Sequence, residues 1–532
     1  MNPLTHTKID VKRRSGFDKS FKNILTTKVG TITPLAYKLL IPNSDFNLSL
    51  AISAALPPLA SDTFMRCSLK VEAFAVPMRL LYGGFTSWLT GENIYITNNQ
   101  GGVSDPKRAK LPCLEISADT AGTGASGPGS LFDYLGLRGG VFDSGTSTES
   151  LSLNIFPFLC YHRIYDDWYR NRKVQKPLFG MPAASSQYVP EDLKPYNLPY
   201  IAYDSIRRFS PNNSFIDGSL LLDLHQRNYG SDYFTESMPT ATFGDAQKVT
   251  IDGSNQFTIS ALRAANAMES FELKNNLSSP ALQDYCLVNY GAHLSSGIAQ
   301  RAIYHGSASY DVYSKGVTAQ ADSTPTNNPF GSVGARYGNA FAAGSDFVVK
   351  GHVDEPCYLM VLATLVPEAN YSTGLKHDLM IFTEEGSLMD LPNPAFELIG
   401  NEPVYDAELG LTYEDDYHDG VFGWQKRYMW HKTSVNEVHG LLREGQSLAA
   451  FVAQRSLYGS VLGSDFLKIA TDDLDNVTAV TAALSEYGVW IDSFIKLHVS
   501  EPLGESALPS LVDPATEHGE SIYIRNNGSR IA

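Results

Sequence analysis

The feature that most constrains this chain is a set of short apolar runs separated by proline and asparagine. Between Val29 and Val76 the segments TITPLAYKLLIP, FNLSLAI and LKVEAFAVP follow one another in this way. Proline and asparagine end strands and open turns, so the spacing is that of strands in a sandwich. Further on, an alternating segment from Phe347 passes into the continuous run YLMVLATLV, Tyr358 to Val366. Alternation marks a strand with one face in solvent, whereas an unbroken run marks one buried on both faces, and this run is therefore expected at the centre of a sheet. A helix is predicted over Phe158–Lys173, where Phe158, Tyr161, Tyr165 and Trp168 share one face, and a second over Ser260–Leu273 on Ala261, Ala264, Met268 and Phe271. Both are expected to pack on sheets. No tandem repeat is present to suggest a solenoid or propeller. The pattern is that of one elaborated all-β sandwich with a few helices.

Two stretches interrupt it. Residues 99–150 hold ten Gly and eleven Ser/Thr, and residues 305–345 are again rich in Gly, Ser, Ala, Asn and Pro. Both read as long exposed insertions with little core of their own. At the start, residues 1–28 carry seven Lys/Arg against two Asp and lack apolar periodicity, so they read as a basic extended arm, leaving 29–532 as a single domain. Glu402–Asp419 is the opposite, with seven carboxylates and no Lys or Arg.

The bulk properties exclude several classes. The five cysteines are far apart and make no CxxC or Cys/His ligand spacing, which fits a reducing compartment. The N-terminus has no apolar signal run, and the longest membrane-like stretch is far short of a spanning helix, so neither export nor a membrane span is expected. A net charge of −16 argues against a nucleic-acid coat that works by bulk charge.

Catalytic constellations are missing as well. Gly122, Gly124 and Gly127 spell GxGxxG, but no strand or helix pattern flanks them as a dinucleotide site requires. The carboxylate pairs Asp166/Asp167, Glu384/Glu385 and Asp415/Asp416 are adjacent in sequence, which is not convergence in space; Asp167 stands four residues after Arg163 and three before Arg170, the spacing of helical ion pairs. The acidic run lacks the ligand spacing and turn glycine of a calcium loop. There is no HExxH, GxSxG or Walker motif. The expectation is no enzyme, no cofactor and no metal.

Two basic features remain. One is the arm, with Lys8, Lys12, Arg13, Arg14, Lys19 and Lys22; the other is the helix cluster Arg163, Arg170, Arg172, Lys173 and Lys176, interleaved with Trp168 and Tyr169. Cations neutralise phosphates and rings stack on unpaired bases, a combination suited to single-stranded nucleic acid. For the helix the competing reading is an aromatic core stripe with surface ion pairs. The candidate DNA-binding residues are Lys12, Arg13, Arg14, Lys19, Lys22, Arg163, Arg170, Arg172 and Lys173.

Several segments, taken in order, resemble the major capsid proteins of the microviruses, specifically the gokushovirus-like branch. They are RRSGFDKSFKNILTTKVGTITPLAYKLLIPNSDFNL, EAFAVPMRLLYGGFTSWLTGEN, CYHRIYDDWYRNRKV, YGSDYFTESMP, LRAANAMESF, PAFELIGNEPVY and VFGWQKRYMWHK followed by GLLREG. The resemblance implies an eight-stranded antiparallel jelly roll with long insertions, sixty copies of which form a T=1 icosahedral shell around circular single-stranded DNA. It also implies a virion protein assembled in the bacterial cytoplasm. Its expected partners are further copies of itself, the genome, a small basic packaging protein, an internal scaffold, a minor pilot protein and a host receptor of unknown identity. In that family a long insertion usually separates the DYFT segment from the LRxA helix; here only Met238–Ala261 does so. The competing functions are a β-rich carbohydrate-active enzyme or binding module, and a phage spike or attachment protein.

Overall fold

The computed structural model describes residues 14–61, 63–82, 84–91, 93–94, 107–108, 111–116, 127–136, 151–178, 208–209, 215, 217–239, 267, 282–294, 300–318, 336–382, 386–397, 400–411, 420–455, 457, 461–479, 487–503, 523–524 and 530–531. Ten strands carry the framework: β1 (Ser15–Asp18), β2 (Phe21–Thr27), β3 (Thr33–Leu40), β4 (Ser44–Ala55), β5 (Cys67–Pro77), β6 (Ile303–Asp311), β7 (Tyr313–Thr318), β8 (Arg336–Val353), β9 (Cys357–Pro367) and β10 (Val489–Glu501).

They form two antiparallel sheets. In the six-stranded sheet β1 and β2 lie end to end along one side of β10, and β4, β8 and β7 follow on the other side. The four-stranded sheet runs β6–β5–β9–β3. The chain crosses between sheets at β2/β3, β3/β4, β4/β5, β6/β7, β8/β9 and β9/β10, the alternation of a jelly roll. Eight strands were expected; the larger number arises because the strand beside β10 breaks at Lys19–Ser20 and because β7 adds an edge. At the break, the Asp18 carboxylate accepts the Ser20 N–H at 3.0 Å, and Ser20 Oγ accepts the Leu497 N–H at 3.1 Å.

The inward faces of both sheets build one core. Leu48, Leu50 and Ile52 of β4 and Ile491, Ile495 and Leu497 of β10 meet Leu69 and Val71 of β5 and Leu359, Val361 and Leu365 of β9. The outer face of the four-stranded sheet is covered too. Helix α1 (Phe156–Ile164) packs Phe156, Leu159, Tyr161 and Ile164 against Phe74, Met360 and Leu362. This double cover explains why every residue of β9 is buried, as its unbroken apolar sequence requires. β10 instead alternates strictly, because its outer side faces solvent.

Three expectations need correction. The glycine-rich segment 305–345 is not an insertion where it is described: it contributes β6, β7 and the start of β8. Its small residues are there because other segments of the chain approach closely. A Cβ on Gly338 would lie 2.2 Å from the Ser61 carbonyl oxygen, and one on Gly344, at a bulge in β8, would lie 1.9 Å from the Tyr310 ring. Within 99–150, the strand Cys113–Ile116 and the helical turn Leu131–Tyr134 are not exposed loop either; Leu114, Ile116, Leu131 and Phe132 join the core under α1. The arm gives way to paired strand from Ser15 onward, since Phe21 and Leu25 pack against the sandwich core.

The first predicted helix is present but begins at Phe156 and continues as a wider π-turn over Tyr165–Tyr169, short of Lys173. The Asn154 carbonyl side chain accepts the Phe156 N–H at 3.0 Å, and Arg170 is extended, which fixes the two ends. Of the second predicted helix only Ala267 is described, and it is helical.

Candidate nucleic-acid interface and assembly surfaces

The helix cluster is anchored from below by an internal network. The His162 Nε2 lies 2.8 Å from the Leu221 carbonyl oxygen, which can only accept, so Nε2 carries the proton. Nδ1 must then accept from His225 Nε2, 2.7 Å away. His225 stacks on Tyr165 with ring centres 3.9 Å apart, and the Tyr161 hydroxyl donates to the Ile32 carbonyl at 2.8 Å. Burial pushes the His162 pKa down to about 4 and that of His225 well below its ordinary value, the latter also through its neighbour His162. Both rings are neutral packing elements.

Above them the ion pairs form at helical spacing but are buried. Arg163 meets Asp167 at 2.9 Å and Arg170 meets Asp166 at 2.7 Å, each four residues apart. The Asp166 carboxylate also accepts the Leu178 N–H, and that of Asp167 the Ala302 N–H. Arg163 and Arg170 therefore tie the helix to neighbouring loops, and neither is free to meet a phosphate. Arg172 is more loosely held, 3.6 Å from Asp167, and Lys173 is exposed.

The arm cations have similarly been drawn into the sheet. Arg14 pairs with Asp45, Lys19 reaches the buried Glu501 at 2.7 Å, and Lys22 meets Asp492 at 2.9 Å. Lys8, Lys12 and Arg13 lie outside the described residues. Of the nine candidates, then, the structure brings five into ion pairs that serve the fold and leaves Arg172 and Lys173 near an open surface.

The GxGxxG segment does have a strand before it, Cys113–Ile116, and a helical turn after it, contrary to its sequence reading. The turn is only four residues long. Two of its donors are already used: Ser130 Oγ accepts the Asp133 N–H, and the Asp133 carboxylate accepts the Gly129 N–H. No such end is left to cradle a pyrophosphate. Gly122 and Gly124, Glu384/Glu385 and Asp415/Asp416 lie outside the described residues.

The start of the acidic run is structural rather than a plain acidic surface. Glu402 is buried and accepts the Tyr428 N–H at 2.8 Å; Glu408 is buried and pairs with His377 at 3.0 Å. Burial raises the Glu402 pKa. Burial opposes protonation of His377, but Glu408, with Glu402 and Asp378 behind it, outweighs that and holds its pKa above the ordinary value. Among the described residues no group of three His, Cys, Asp or Glu is placed to hold a metal ion, and no helix is long and apolar enough to cross a membrane.

A two-sheet jelly roll whose polar networks serve packing, with one sheet face open, is an architecture that viral shell proteins share. The chain matches the phage family described as Capsid protein (F protein) over residues 6–255 and 245–498, and it belongs to that family. Among its relatives, Capsid protein VP1 of Chlamydia phage 1 is 22% identical over 529 residues, covering 81% of this chain and 84% of that one. Capsid protein VP1 of Bdellovibrio phage phiMH2K is 20% identical over 486 residues, covering 83% and 84%. The protein is a structural major capsid protein of the microvirus kind, as its sequence motifs imply.

Proposed function

We propose that sixty copies of this capsid protein close a T=1 shell around a circular single-stranded DNA genome, and that the particle assembles in the cytoplasm of a bacterial host. The observation that carries this reading is the family match running through both sheets of the jelly roll, from the strand β1 to β10. The protein turns over no substrate; its functional parts are surfaces. A subunit at −16 repels DNA overall, so packaging relies on local positive surface, bound cations or a small basic partner. An internal scaffold, a minor pilot protein and a host receptor of unknown identity are its further partners. Within the chain, Lys12 and Arg13 of the arm are the main phosphate contacts, since Arg14, Lys19 and Lys22 already have carboxylate partners.

The test is nuclease-protected DNA per particle for the Lys12→Gln/Arg13→Gln double variant across a salt series. Shells that form normally but hold less DNA, with the deficit growing as salt rises, support the reading. Unchanged DNA content at every salt concentration removes the arm from it.

A further inference from the structure

At the edge of the four-stranded sheet, aromatic surface and surplus positive charge meet. Trp168, at the end of the π-turn, packs on Phe74 of β5 and Tyr304 of β6, with ring centres 5.8 and 5.4 Å apart. Its indole N–H donates to the Ala302 carbonyl at 2.9 Å, which fixes the ring. Although held this firmly, Trp168 is 39% exposed and Tyr304 41%, so the pair offers a rigid aromatic surface to solvent. The Arg301 guanidinium lies over the indole, 3.7 Å from its centre.

Among the described residues the charges here do not balance. Asp167 is shared by Arg163 at 2.9 Å, Arg172 at 3.6 Å and the neighbouring Arg301, which donates to the Asp167 backbone carbonyl rather than to the carboxylate. The Arg301 Nε is itself buried and has no hydrogen-bond partner among the described residues, so only the outer end of the guanidinium is turned toward solvent. Burial pulls the Arg301 pKa below its ordinary value, and Arg172 and Arg163 add to that pull against Asp167 and Asp284. Among the described residues Arg301 thus has no carboxylate of its own, and it sits on a ring that is partly open to solvent.

We propose that Trp168, Arg301 and Tyr304, with Arg172, form a docking site for single-stranded DNA, in which a base stacks on the exposed aromatic surface and its phosphate meets Arg301 and Arg172. This rests on the reading that the shell encloses such a genome. The site lies on an open sheet edge and encloses nothing, which suits a polymer held by many weak contacts better than a free nucleotide. Duplex DNA hides its base faces and gains only the phosphate contact. The contact is independent of sequence, because every base has a ring face and phosphates carry no base identity.

The experiment measures binding of a labelled oligothymidylate to the purified full-length chain by anisotropy across a NaCl series, with a duplex of equal length beside it. Tyr304→Ser is expected to weaken single-strand binding roughly tenfold and leave duplex binding unchanged. Arg301→Gln is expected to weaken both and to lower the salt slope by about 0.7 for the single strand, while Arg301→Lys restores that slope. Lys496→Gln, on the outer face of the other sheet, is expected to bind as the unaltered chain does. If the chain binds oligothymidylate but all site variants bind equally well, or if Lys496→Gln loses as much as they do, the site is wrong while the DNA reading stands. If the chain binds no single strand at all, the DNA reading falls with it. Should the variants fail to fold, photo-cross-linking of the unaltered protein in DNA-filled particles decides: adducts on Trp168 or Tyr304 support the site, and adducts confined to other segments overturn it.

Discussion

The two sheets of this protein share one core and differ in everything outside it. The four-stranded sheet is buried twice, against its partner sheet and against α1, and its central strand β9 has no exposed residue. The six-stranded sheet is buried once, and residues such as Trp490, Phe494 and Ile24 stand on its open face among Lys22, Asp492 and Lys496. In the first sheet both faces hold the subunit together. In the second, the inner face does so and the outer face is left for contacts beyond the subunit, a division of labour that a shell protein requires.

Substitution of outward-facing residues sharpens that contrast most. Met360 points away from the sandwich yet is fully buried under the helix layer, whereas Phe494 points away from it into solvent. In urea unfolding of the isolated chain, Met360→Ala is expected to cost about 2–5 kcal/mol and Phe494→Ala under about 1 kcal/mol. Equal costs would mean that the six-stranded sheet is covered as well.

Glycines separate core from edge in the same way. Gly344→Val drives a side chain into the Tyr310 ring and is expected to destabilise by about 1–3 kcal/mol. At Gly16 in the edge strand β1 nothing lies within 4 Å of an added Cβ, and Gly16→Val is expected to change stability by no more than about 0.5 kcal/mol.

The histidine pair beneath α1 gives the doubly buried side a pH dependence. Both rings have folded pKa values below the unfolded value, so the unfolded chain takes up protons first as pH falls. Their stabilisation is complete above the ordinary histidine range, and it is lost as pH drops through that range toward about 4. For His162 alone this amounts to about 2 kcal/mol between neutral pH and a value near 5. His162→Gln should flatten the fall in unfolding free energy by that amount over the same interval; an unchanged slope would remove the pair as its cause.

How far the sequence announced these features depended on how local their causes are. Strands β3, β4, β5 and β9 were legible, since burial on one or two faces is written directly into alternation or its absence. The pairing of Arg163 with Asp167 was legible for the same reason, because helix geometry alone brings residues four apart together. Strands β6 to β8 were not: Gly338 and Gly344 look like loop residues until Ser61 and Tyr310 are seen pressing on them. Nor were the partners of the arm cations. Lys19 reads as a phosphate contact because its carboxylate, Glu501, stands at the far end of the chain and only β10 carries it back alongside. Trp168 stands out in the sequence as an aromatic among cations, but Arg301 and Tyr304, which complete its surroundings, arrive from a segment with no visible pattern.

The central claim is that this jelly roll builds a closed shell, and the mass of the assembled protein tests it most directly. Native mass measurement with negative-stain imaging of protein from expressing cells is expected to give hollow particles near sixty times the 58.2 kDa of the chain, on the order of 3.5 MDa. A folded protein that stays a single chain or a small ring under every assembly condition, including with its basic and scaffolding partners present, would contradict the account.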